Sequence, residues 1–286
     1  KTEGKIMKKI LFATTALVAT ASVAAADITL GGFGRFGIQK TEGADATVDS
    51  RVSIDIKGSA EAGDMTFGGM IRLRSTDGGT ATTNGAQLHM KNGAMTVYAG
   101  NIPGPLDSMA GVYGYTVGYS GGTFNGLVTG GDSMGFTSNG GGANGLQVNY
   151  SMTGLTVKAA HSPQEDDEQV VVEYALGAMT LAAGTQLGNV DADDVSVATL
   201  SYSLGDLGMT LAYGDNNGTK QTTFSAGGNV AAATSLQAYV ADRDGETDTA
   251  FGVGVKHDLG GATLGAAYES NYSGNSVIEA GVTFNF

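Results

Sequence analysis

The sequence predicts an all-β chain: a transmembrane antiparallel β-barrel of about sixteen strands, with a long third external loop folded into the lumen. Three observations carry this. An export signal stands at the front, side chains alternate with a period of two through the rest, and the connections switch between short and long.

The export signal comes first. Met7-Lys8-Lys9 is a positive start, Ile10–Val23 is apolar or small throughout, and Ala24-Ala25-Ala26 supplies a small-residue cleavage site before Asp27. The apolar run is shorter than the about 20 residues that a spanning helix needs. The expected organisation is an upstream extension over 1–6, a signal peptide over 7–26 and one barrel domain over 27–286. Of the chain's 15 Lys+Arg and 28 Asp+Glu, four Lys and one Glu lie before Asp27, so the exported part carries about −16. Nucleic acid is excluded as a partner, because phosphate binding needs a basic footprint. With no Cys there is neither a disulfide framework nor a thiolate metal site. With 47 Gly and 3 Pro, the composition suits many strands joined by tight turns.

Successive side chains on a strand point to opposite faces. Within Asp27–Gln39, Ile28, Leu30, Phe36 and Ile38 share one parity, and Thr29, Arg35 and Gln39 the other. Within Arg51–Ser59, Val52, Ile54 and Ile56 alternate with Arg51, Ser53, Asp55 and Lys57. Within Met65–Arg74, Met65, Phe67, Ile71 and Leu73 alternate with Thr66, Arg72 and Arg74. The pattern continues to a terminal segment, Ile278–Phe286; it is less regular at Gln87–Met90, Met95–Gly100 and Thr219–Ala226, and Ala192–Thr199 is irregular.

Seven connections are tight: Glu61–Asp64, Asn92-Gly93, Thr153-Gly154, Gly177-Ala178, Gly205–Gly208, Gly227–Asn229 and Gly260-Gly261. Eight others are longer and more polar, which gives the even strand count and same-side termini of an outer-membrane barrel. A soluble β-sandwich would also alternate, but it would bury its apolar face. The switching turn lengths, and Tyr150, Tyr174, Tyr202, Tyr213 and Tyr268 at the ends of apolar faces, favour a barrel with an interfacial girdle.

The segment Asp27-Ile-Thr-Leu-Gly-Gly-Phe-Gly-Arg-Phe-Gly-Ile-Gln39 resembles the opening strand of the alphaproteobacterial general diffusion porins. Ser50–Ile56, Phe67–Arg74 and Glu279–Phe286 are similar to their second, third and terminal strands. The resemblance implies a sixteen-stranded homotrimer in the outer membrane of a Gram-negative bacterium. It also implies an eyelet narrowed by the third loop, and passive diffusion of small hydrophilic solutes. No cofactor is expected; calcium bound near that loop is implied only by the resemblance.

Parity supplies the pore chemistry independently. Four of the five Arg in the exported part, Arg35, Arg51, Arg72 and Arg74, fall on the polar face of the first three strands. That face is the lumen, since charge on the lipid face costs about 2–4 kcal/mol at mid-depth. Strands lie about 4.8 Å apart, so these guanidiniums are expected to form one cationic wall, with His89 and Lys57 alongside. The connection 101–145 is far longer than its neighbours, and long loops are uncommon unless functional. It is expected to fold inward and set Asp107 and Asp132 against the arginines. Two carboxylates are few for an eyelet loop of this family, so a weak transverse field is expected.

The acidic runs Glu165–Glu168, Asp191–Asp194 and Asp242–Asp248 read as solvated external loops, able to meet lipopolysaccharide through divalent ions. The outward Gly32, Gly34 and Gly69 are expected to leave a flat patch for subunit packing. Three rival functions stand beside a diffusion channel: a substrate-specific channel, a non-conducting adhesin or structural barrel, and a barrel enzyme. The last is disfavoured because His89, His161 and His257 have no local nucleophile or acid motif.

Overall fold

The computed structural model describes residues 27–121, 144–163, 166–188 and 194–286; the expected extension and signal lie outside them. The first strands are β1 (Asp27–Thr41), β2 (Thr47–Ala62), β3 (Met65–Thr76), β4 (Thr82–Thr83), β5 (Gln87–Asn92) and β6 (Met95–Asn101). After the long connection come β7 (Asn144–Met152), β8 (Leu155–Ser162), β9 (Asp167–Leu176), β10 (Met179–Leu187) and β11 (Val195–Leu204). The remainder are β12 (Leu207–Asn216), β13 (Thr219–Ala231), β14 (Thr234–Arg243), β15 (Ala250–Asp258), β16 (Ala262–Ser270) and β17 (Ser276–Asn285).

All pairings are antiparallel, and β1 pairs with both β2 and β17. The sheet is therefore a closed barrel without edges, which lets every strand pair internally inside a membrane. Sixteen strands form the wall. The extra two-residue β4 arises where the β3–β5 connection folds back on β3, pairing Thr83 with Leu73 and Thr82 with Arg74. At the seam Phe33 pairs with Asn285 and Thr41 with Val277, and Gly32 and Phe286 exchange backbone hydrogen bonds of 2.8 and 3.1 Å.

The parity reading holds, with polarity inverted relative to a soluble protein. Ile28, Leu30, Phe36, Ile38, Phe67, Leu200 and Phe251 are exposed on the outer wall. Gln147, Gln169, Gln186, Gln221, Glu269 and Glu279 are buried inside. Tyr150, Tyr174 and Tyr202 stand outward near the hairpin end, and Tyr213 and Tyr268 outward toward the loop end. Two such bands suit the two membrane interfaces, where an amphipathic ring satisfies both phases.

Three local expectations change. The turn expected at Gly227–Asn229 lies instead at residues 232–233, because β13 runs on to Ala231 with a register shift. Those glycines serve close approach rather than turning: a Cβ on Gly228 would fall 2.6 Å from the Asp206 carbonyl oxygen. The irregular parity before Thr199 arises because Val195 and Val197 face inward yet are covered, packing with Leu106, Met109 and Val112 of the long connection. Gly32 and Gly34 leave no flat patch, because the Phe286 and Phe284 rings lie over them. An aromatic laid across a strand glycine restores the contact that the missing side chain forgoes.

Candidate functional site

The inner surface divides into a charged wall and a loop track. On β1–β3 the polar parity brings Arg35, Arg51, Arg72 and Arg74 together: Arg35 pairs in register with Arg51, and Ser53 with Arg74. The wall also carries its own carboxylates. Arg72 clamps Asp55 with Nε–Oδ1 at 2.5 Å and Nη2–Oδ2 at 2.9 Å. Arg35 donates from Nη2 to Asp49 Oδ1 at 3.0 Å, with both side chains more than four-fifths buried. Arg74 donates to Ser53 Oγ at 3.3 Å. Arg51 is left with a buried Nε that has no hydrogen-bond partner among the described residues. The wall is thus a mosaic of guanidiniums and carboxylates rather than a purely cationic face. Asp49 lies before the first residue of the strand as read from sequence, so its pairing was not legible there.

His89 belongs to a different part of the lumen. Its ring lies over Gly68, tilted toward Tyr98 with centroids 5.9 Å apart. With Lys57, Thr29, Gln87 and Tyr98 it lines a cavity of about 400 Å³ toward the hairpin end. Lys57 reaches Asp55 only at 3.9 Å.

The long connection folds into the barrel, as its length predicts. Its described part, 102–121, runs along the inner wall. It starts on β7, where Gly104 N–H donates to Gln147 Oε1 at 3.0 Å, and passes β9, where Leu106 N–H donates to Gln169 Oε1 at 3.1 Å. Glu173 Oε1 accepts from Ala110 N–H at 2.9 Å, and the Lys158 ammonium beside it donates to the Ser108 carbonyl at 2.6 Å. Further round, Thr199 Oγ1 donates to the Ala110 carbonyl at 2.6 Å, Ser225 Oγ accepts from Tyr115 N–H at 2.9 Å, and Lys256 Nζ donates to the Thr116 carbonyl at 3.2 Å. The track ends at Ser120, whose N–H donates to Glu279 Oε1 at 3.0 Å and whose carbonyl accepts from Arg35 Nη1 at 2.8 Å.

Irregular backbone has no ladder to satisfy it, so each buried peptide group needs another partner. Wall carboxylates, amides and ammonium groups supply these partners here. Space is supplied by inward glycines on consecutive strands: a Cβ on Gly254 would lie 2.7 Å from Gly118 N, and one on Gly265 2.7 Å from Tyr119 N. Gly118 itself has φ +66°, and a side chain there would collide with the Glu279 carboxylate. Sequence reasoning missed this seat, since glycine in a strand reads as turn or tolerance until the approaching chain is known.

Asp107 sits on the loop over β8–β10, roughly across the closed barrel from β1, and accepts a hydrogen bond from the Tyr113 hydroxyl. Burial, then the adjacent Asp107 carboxylate, push that phenol above the ordinary tyrosine range, so it stays a neutral donor. Asp132 lies outside the described residues. Among the described residues no group of three or more His, Asp or Glu is gathered to hold a metal ion. The fifth arginine, Arg243, stands at the loop end, 4.4 Å over the Tyr272 ring, with its Nη1 3.7 Å from Glu246.

A closed barrel that is apolar outside and polar inside, with a loop pinned in its lumen, defines a channel-forming membrane protein. Comparison with known proteins agrees. The family model described as Gram-negative porin matches residues 13–285. The porin of Fuscovulum blasticum is 30% identical over 290 residues, covering 91% of this chain and 100% of that protein. Solved structures of engineered variants of the Rhodopseudomonas blastica porin superpose with a TM-score of 0.83 at 26% identity, over 91% of this chain and 100% of theirs. The chain belongs to the Gram-negative porin family. It is a multi-pass β-barrel of the outer membrane and a channel for passive diffusion.

Proposed function

We propose that the constriction of this channel is formed by the wall of Arg35, Arg51, Arg72 and Arg74 on one side and the inner loop bearing Asp107 on the other, with Asp132 contributing from the same loop. The carrying observation is the loop track, which seats Asp107 on β8–β10 and leads to the arginine wall at Ser120. Opposed charges set a transverse field that favours dipolar, hydrophilic solutes and hinders apolar ones, and charged linings set ion preference in pores. Because Asp49 and Asp55 engage Arg35 and Arg72, part of the wall's positive charge is offset in place, and selectivity is mild. His89 acts with Lys57 as a separate step toward the hairpin end.

The working unit is a homotrimer, and its acidic external loops meet lipopolysaccharide through divalent cations. No catalytic role is assigned: His161 lies outward beside Glu168 and His257 outward beside Thr234, both distant from His89 in the fold.

Planar-bilayer recording under a salt gradient tests this. Insertion steps of the unheated protein are expected in threes. The double variant R51S/R74S is expected to move the reversal potential toward cation preference. An unchanged reversal potential removes the arginine wall from the constriction. Liposome swelling that admits one sugar and rejects others of equal size replaces general diffusion with a specific channel.

A further inference from the structure

The barrel rim at the hairpin end has a step. The β11–β12 hairpin turns at residues 205–206, and Leu207 pairs with Gly228; β13 runs on past that level to Ala231. On the outer wall beside this step, cross-strand register sets small residues together: Gly228 between Leu207 and Leu236, and Ala226 against Ala238. Larger apolar side chains, among them Leu204 and Val253, stand around this floor and enclose a groove of about 560 Å³. The inner side of the same step holds a second cavity of about 280 Å³, roofed by Tyr115 and lined by Ser203 and Ser235. Of the six residues that the two cavities share, Asp206, Asn229 and Gln237 are the polar ones. Gln237 is 9% exposed; its amide nitrogen donates to Ser235 Oγ at 2.6 Å, and its side-chain oxygen has no hydrogen-bond partner among the described residues.

We infer that this step binds one phospholipid with a primary-ammonium head group, its acyl chain in the outer groove and its head over the rim at Asp206 and Asn229. An amphiphile is the ligand whose polarity changes where the site's does. The outer face of a membrane barrel is covered by lipid, and the apolar groove offers a chain more contact than the flat wall beside it. The hairpin end faces the periplasm, where the leaflet is phospholipid rather than lipopolysaccharide. Asp206 complements an ammonium and repels an anionic head group.

The test is native mass spectrometry of the intact protein released from nanodiscs of equimolar phosphatidylethanolamine and phosphatidylglycerol. The wild type is expected to retain one lipid per subunit, enriched in phosphatidylethanolamine. A226L/A238L fills the groove and is expected to lower retention roughly tenfold. D206N is expected to keep the retained lipid but lose the head-group preference. Equal retention in A226L/A238L and wild type overturns the inference, as does a wild type without preference. Dissociation of the oligomer by A226L/A238L also overturns it, and makes the groove a subunit contact. Heat-modifiable mobility in gels reports folding of each variant. Single-channel conductance, expected to stay at the wild-type level in both, separates failure of the lipid site from failure of the pore reading.

Discussion

At the scale of single residues, the carboxylates of the inner wall fix geometry as much as they set charge. Glu279 is 2% exposed, accepts from the Ser120 N–H and from Gln39 Nε2, and lies where Arg35 holds the other side of the same loop residue. Removing it leaves a buried peptide N–H without its partner, a cost of about 1–3 kcal/mol concentrated at the loop. E279A is expected to fold normally but show more open-channel noise and brief closures, with faster hydrogen exchange at the Ser120 amide. E279Q, which keeps an acceptor, is expected to fall between. Indistinguishable noise and exchange in E279A would show that the loop is held elsewhere. The arginines of this wall were legible in the sequence because parity alone assigns a strand residue to one face. Their partners were not: which carboxylate meets which guanidinium depends on register between strands, and register follows from closure of the whole sheet.

At the scale of elements, the inner loop and the strands beneath it are matched surfaces. Leu106, Met109 and Val112 bury against Val171, Val195 and Val197, while the glycines further round leave room for the loop backbone itself. G265A therefore places a methyl group 2.7 Å from a loop nitrogen that cannot move aside alone. Overpacking of this kind costs about 1–3 kcal/mol. The expected result is a displaced loop and a changed single-channel conductance in a barrel of normal thermal stability. G58A, with nothing within 4 Å of the added Cβ, serves as the neutral comparison. Equal conductance in the two variants would mean that the seat does not position the loop. The sequence flagged this loop by length and flagged Val195 and Val197 as a break in parity, but neither signal says which surface the loop covers. That depends on side chains brought together from strands far apart in the chain.

At the scale of the molecule, the long and short connections lie at opposite ends of a closed wall, so the chain has a definite sense across the membrane. Because it has no Cys, single introduced thiols report position cleanly. D244C, in a long connection, is expected to react with an impermeant maleimide on intact cells, and A232C, in a hairpin, only after the outer membrane is opened. Reversed labelling would invert the assigned orientation and, with it, the leaflet assigned to the groove at the β11–β14 rim. The sixteen wall strands, their inward and outward faces and the inward fold of the third loop were all readable in the amino-acid order. One hairpin was misplaced because Gly227 and Gly228 look like turn residues.

What the amino-acid order determined by itself was the set of strands, the face each side chain takes and the polarity of the two sides. These follow from a two-residue period and the cost of putting charge in lipid, both local to one strand. Only the tertiary structure decided which arginines are already ion-paired, where the loop is clamped and why the inward glycines are there. Those outcomes depend on register and on close approach between segments far apart in the chain, where a shift of one residue or one methyl group changes the partner.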